Sequence, residues 1–143
     1  MGVRNYDPKG IIAIFSGIPI QGFAAGTFLS VEQNEDSFAL TVGADGEGCR
    51  SKTNNRSAKA TFTLMQSSLT NDLLSALHNV DLNSPLGDGI GPLLIKDISG
   101  TTLIAAEKAW IVRQANSTYS RDPESREWVI ETDYAVVNVG GNL

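Results

Sequence analysis

The sequence predicts a mainly β domain (α+β in class), an antiparallel β-sandwich or barrel with one flanking α-helix and a long polar hairpin loop. Three observations carry that prediction. Short apolar segments with period-two alternation recur along the chain, glycines and turn clusters separate them, and one segment alone has helical periodicity. With 143 residues, 41% hydrophobic and 19% charged, the composition is that of a globular domain with one core. A single domain over 1–143 is therefore expected, without internal repeats or an interdomain linker.

The elements follow in order. Asp7-Pro8-Lys9-Gly10 is a turn signal, and Ile11–Phe15 is a short apolar strand after it. Ser16-Gly17 breaks that strand, Pro19 keeps Ile18 extended, and Gly22 and Gly26 flank a bend. Residues 28–33 read as a strand closed by the polar cluster Asn34-Glu35-Asp36-Ser37. Two alternating segments come next, one with Phe38, Leu40 and Val42 on a single face, the other with Ala60, Phe62 and Leu64. They read as half-buried antiparallel neighbours, joined by a polar loop over 43–59.

The helix is predicted over 70–81. Thr70 can cap it, Asp72 suits its positive N-terminal end, and Leu69 can staple to Leu74. Leu73, Leu74, Leu77 and Val80 form its apolar stripe. Gly and Pro make 83–92 a loop. Residues 93–97 form a strand that turns at Ser99-Gly100 and returns over 101–104. Residues 107–114, with Trp110 and Val112 on one face, pair with 127–139 across the polar connection "ANSTYSRDPESRE".

Little in this chain suggests chemistry. Its one histidine, His78, lies late in the helix and reads as a surface residue rather than a catalytic base. The single cysteine, Cys49, excludes an internal disulfide and a multi-cysteine metal site, and reads as an incidental free thiol. "GDGIG" at 87–91 lacks the Lys-Ser/Thr ending of a phosphate loop, and "GADGEG", with Asp45 and Glu47, lacks calcium-loop spacing. Glu131 and Asp133 share a strand face with Val129, Ala135 and Val137, which suits a solvated face better than an acid–base pair. The Asn55-Arg56-Ser57 and Asn116-Ser117-Thr118 triplets read as chance matches. No catalytic residue, metal or cofactor is expected.

A net charge of −5 with scattered basic residues argues against a nucleic-acid reader. The start "MGVRNYDPKG" has no apolar signal region, and Tyr6 stands where a myristoylation motif wants Ser or Thr. The apolar runs are too short for a spanning helix. A protein made and kept in the cytoplasm, with no membrane partner, is the expectation.

Assembly remains. The loop over 43–59 is too long for an ordinary hairpin connection and too polar to pack on itself, so it reads either as a flexible surface hairpin or as a loop that a partner orders, the second being favoured. The strands flanking it offer edges to another chain. The polar, turn-rich N-terminus is a second candidate arm.

At this point the chain resembles a family, the tail tube proteins of contractile-tailed bacteriophages. The resemblance is carried by "GFAAGTFLSVEQNEDSFALTVGADGE", "NNRSAKATFTLMQSSLTNDLLSAL", "GPLLIKDISGTTL", "AEKAWI" and "REWVIETDYAVVNVGG", in that order over most of the chain. It implies subunits that join into hexameric rings, which stack into a hollow tube inside a sheath and on a baseplate. DNA would pass through the lumen without specific binding. The tube would stand in the virion tail and assemble in the host cytoplasm.

The resemblance also implies site residues. Subunit contacts are expected from Gly43, Ala44, Asp45, Gly46, Glu47, Gly48, Cys49, Arg50, Lys52, Asn54, Asn55 and Arg56, and from an arm over 1–9 with Tyr6, Asp7 and Pro8. Glu32, Glu35, Asp36, Glu131 and Asp133 are candidates for the lumen. Two alternatives share the fold class: the effector-delivery tube of a secretion system, and a small β-rich binding module. An enzyme is the weakest reading.

Overall fold

The structure, a computed structural model, describes residues 2–142. Met1, the first residue of the expected arm, and Leu143, the last of the expected domain, lie outside the described residues. A 3₁₀ turn at Pro8–Gly10 leads into β1 (Ile11–Phe15) and β2 (Ile18–Pro19), then β3 (Leu29–Gln33), β4 (Phe38–Val42), β5 (Gly48–Lys52) and β6 (Ala58–Leu64). The helix α1 (Thr70–Asn83) follows, then β7 (Gly91–Asp97), β8 (Leu103–Ile111), β9 (Arg126–Thr132) and β10 (Ala135–Asn138). The architecture is mainly antiparallel β with one α-helix among the described residues, as the alternation predicts.

One antiparallel sheet runs β2-β1-β7-β8-β9-β6-β3, with β10 paired to β8, while β4 and β5 pair only with each other. Period-two alternation puts one side chain in two into the core. In β6 these are Ala58, Ala60, Phe62 and Leu64, and in β9 they include Trp128 and Ile130. β1 and β7 add Ala13, Phe15, Leu93 and Ile95 to the same cluster. A shallow groove lined by Tyr6, Ile11 and Leu29 brings the start of β1 close to the start of β3. β1, next to the β2 end of the strand order, thus approaches β3 at the other end.

Alternation slips at two facing places, and the slips shape the surface. Leu93 pairs with Ala106 but Gly91 pairs with Ala109, so one residue of β7, Pro92, opposes two of β8. Glu107 and Lys108 bulge outward together, between the buried Ala106 and Ala109. Opposite the bulge, Asp133 and Tyr134 separate β9 from β10, which keep one register against β8. The predicted shared face of Glu131, Asp133 and Ala135 is therefore corrected. Ala135 is buried on the side of Thr132, and Asp133 is exposed in the break. Likewise the segments predicted over 101–104 and 107–114 merge into one bulged strand, Leu103–Ile111, and Val112, just past its end, is exposed while Ile111 enters the core.

The helix exists where predicted but presents a different face. Its buried residues are Thr70, Leu74 and His78, one turn apart, whereas Leu73 and Val80 are exposed. Thr70 is not the cap. It is the first helical residue, and its Oγ1 accepts from the Gln21 backbone N–H at 3.2 Å. Ser68 fastens the same junction, accepting from Thr70 N–H and donating to Gln21 O. Leu69 is exposed and staples nothing. Across the interface, Trp128 Nε1 donates to Asn71 Oδ1 at 2.9 Å. The 83–92 loop is shorter than expected, because Gly91 and Pro92 already belong to β7.

Candidate assembly surfaces

The polar stretch over 43–59 is not a long irregular loop, and β4 does not pair with β6. β4 turns back on β5, with Phe38 opposite Lys52, Leu40 opposite Arg50 and Val42 opposite Gly48. The reversal is tight. Gly46 N–H donates to Gly43 O, Gly43 N–H donates to Glu47 O, and Asp45 Oδ1 accepts from Glu47 N–H. Gly46 has φ 89°, a backbone region that side chains disfavour, so the turn requires a glycine there.

This ribbon prolongs the β3–β6 ladder. Beyond the last β3–β6 pair, Gln33 with Ala58, Asn34 N–H donates to Ser57 O and Thr53 N–H to Ser37 O. Asn55 Nδ2 donates to Glu35 Oε2 at 2.7 Å across its base. Arg56 bridges to Tyr134 and lays its guanidinium over that ring at 4.9 Å. At about 3.4 Å per residue, the five-residue strands and their turn carry the tip roughly 20 Å beyond the sheet.

The arm has two unlike faces. Phe38, Leu40 and Val42 are 48%, 70% and 58% exposed, correcting their expected half-burial. Arg50 and Lys52 share that face, with the Arg50 guanidinium 4.1 Å from the Phe38 ring centroid. Ala39, Thr41, Cys49 and Ser51 make the other, small and polar; Cys49 is a free, exposed thiol. Residues 43–50, Lys52, Asn54, Asn55 and Arg56 are all exposed on this arm or its base.

The second predicted contact segment lies at the other end of β3. Asp7 Oδ1 accepts from Lys9 N–H and starts the turn at Pro8. Tyr6 borders the groove by Gly26 and Leu29, and Arg4 Nη1 donates to Asn142 O at 3.1 Å. β3 thus has the N-terminal segment at its start and the arm at its end.

The five acidic candidates separate into three places. Glu32 and Glu131 flank Lys59 in one cross-strand row, and Asn34 Nδ2 donates to Glu131 Oε1 at 3.2 Å. Glu35 and Asp36 sit exposed at the arm's base. Asp133 lies apart, beside the bulge. His78, expected at the surface, is 8% exposed with no partner for Nδ1, so it is a packing residue of the helix.

One surface went unread in the sequence: the solvent face of β1, β7, β8 and β10. Ile14, Leu94, Ala105 and Val136 form one row across it, and the next row, Ile12, Lys96, Leu103 and Asn138, alternates apolar and polar. The signal was there. "IIAIF", "LLI" and "LIAA" are continuous apolar runs, the pattern of strands covered on both faces. Beside them, the solvent face of β9, β6 and β3 is largely polar, with Glu32, Lys59, Glu127 and Glu131.

Comparison with known proteins follows the same lines. The model of the bacteriophage PhiTE tail tube protein family matches residues 16–139. Structural protein ORF10 of Pseudomonas phage KPP10 is 36% identical over 144 residues, spanning 96% of this chain and 83% of that protein. Two solved structures share the fold. The sheath/tube terminator of the extracellular contractile injection system PVC, in its extended state, has a TM-score of 0.56 at 12% identity, over 94% of this chain and 97% of that one. The tube-terminating cap of the anti-feeding prophage has 0.59 at 9% identity, over 96% of this chain and 94% of that one.

Proposed function

The chain belongs to the bacteriophage PhiTE tail tube protein family, and from that membership we propose that its copies form hexameric rings stacked into the inner tube of a contractile tail. As a member of this family it is a structural protein of the phage tail, not an enzyme. The proposed tube is the conduit for DNA ejection, enclosed by a sheath, seated on a baseplate and assembled in the host cytoplasm.

One observation carries the reading: an ordered arm with an exposed apolar face leaves the body at one end of β3, while the N-terminal segment lies at the other. A contact made at one end of a subunit and received at the other is head-to-tail, and when it does not close it builds a filament. Around each ring, open strand edges offer ladders to the next subunit. β3 and the two-residue β2 bound the strand order of the main sheet. The row of Glu32 and Glu131, with Glu35 and Asp36 nearby, suits a lumen that repels phosphate and lets DNA slide.

The test is negative-stain electron microscopy of the full chain against a variant with Phe38–Lys52 replaced by Asn-Gly. Ser37 and Thr53 are already hydrogen-bonded, so that two-residue turn closes the remaining ladder. Hollow tubes from the full chain and folded monomers from the variant are expected; tubes of normal length from the variant would remove the arm's role. A second reading, a tube terminator, draws on the two structural neighbours. Quantitative mass spectrometry of purified particles separates them: a stacked tube needs copies in proportion to tail length, a terminator only one ring's worth.

A further inference from the structure

We propose that the apolar groove at the β8 bulge is the seat of the β4–β5 arm of a second copy, which rests on the tube reading and names the surface the arm meets. The bulge at Glu107 and Lys108, facing the break at Asp133 and Tyr134, opens a groove of about 580 Å³. Leu94, Ala105, Tyr134 and Val136 line it. Leu94 and Val136 are exposed although β7 and its neighbours carry the two-sided apolar pattern, and Tyr134, in the break between β9 and β10, is exposed beside its own chain's Arg56, so the single chain leaves largely uncovered a face its sequence is built to cover.

The occupant is argued from the arm itself. Its exposed face presents Phe38, Leu40 and Val42, three alternate apolar side chains on an extended ribbon. Alternate side chains entering pockets on a sheet are how extended segments are recognised. The charges complement as well. The groove's rim carries Glu107 and Asp133 with Lys108 between, while the arm face brings Arg50 and Lys52 and its turn Asp45 and Glu47. The arm cannot serve its own groove. The bonds from Asn34 to Ser57, Thr53 to Ser37 and Asn55 to Glu35 hold it in line with β3 and β6, pointing off the body.

Cysteine cross-linking between two full-length variants tests the seat. One carries Leu40→Cys and Cys49→Ser, the other Val136→Cys and Cys49→Ser. A control pairs the first with Ser30→Cys and Cys49→Ser, which puts the thiol on the exposed polar half of the sheet. All three positions are exposed, so the variants keep the core. Mixed over a concentration series with a short bis-maleimide, the first pair should give a covalent dimer on a denaturing gel and the control pair none. Equal linkage in both pairs overturns the seat. Rings or tubes in negative stain without the 40–136 link overturn it and leave the tube reading intact. Neither link nor assembly at any concentration overturns both.

Discussion

Single residues show where this chain meets physical limits. Trp128, fully packed and tied to Asn71, is the largest buried side chain, and Trp128→Ala should cost about 3–5 kcal/mol by denaturant unfolding. His78 is the opposite case, a buried imidazole whose Nδ1 has no partner. Replacing an unpartnered buried polar group by an apolar one of similar size is neutral or favourable, so His78→Leu should leave the unfolding midpoint unchanged or raised. A marked drop would show that Nδ1 has a partner in solution. Gly46 matters for another reason. Gly46→Val places a β-branched residue at φ 89°, and the arm's turn should loosen while the core, which does not touch it, keeps its melting temperature. The loss should appear as fewer tubes in negative stain.

At the scale of elements, the helix separates pattern from packing. Leu73 and Leu74 belong to the same predicted stripe, yet only Leu74 is buried. Leu74→Ala should cost about 2–5 kcal/mol and Leu73→Ala within about 0.5, both read by chemical denaturation. The arm makes the complementary point. Two strands with no third partner are marginal in water, and here the ribbon is rooted in the β3–β6 ladder by Asn34, Ser57 and Thr53. That root lets an element with no core of its own project from the sheet.

For the whole molecule, the division of the sheet's solvent face is the organising feature. One half carries an apolar row, Ile14, Leu94, Ala105 and Val136, across β1, β7, β8 and β10; the other, over β9, β6 and β3, carries glutamates around Lys59. If the polar half lines the bore, Glu32→Lys with Glu131→Lys should still give tubes, at a cost of about 1 kcal/mol for the like charges now crossing at Lys59. Those tubes should retain DNA in a low-salt filter assay where the native tubes do not, with retention falling as salt rises. Equal retention would move the lumen elsewhere.

Much was legible before the fold. Alternation in "AKATFTL" and "REWVIET" marks two central strands, the lone helical period marks α1, and the turn residues place most boundaries to within a few positions. The sequence by itself also determined that some strands carry apolar residues on both faces, because continuous runs need no partner to be read. Tertiary structure alone decided three things. It decided which strands are neighbours: β4 folds on the polar "GCRSK", whose pairing comes from backbone hydrogen bonds and the Asp45-Gly46 turn and leaves no apolar trace. It decided the helix's buried face, since Thr70 and His78 are drawn in by Gln21 and by packing, which periodicity cannot see. And it decided where the alternation slips, at Glu107 and Asp133, because a bulge is a mismatch between two strands and neither strand records it alone.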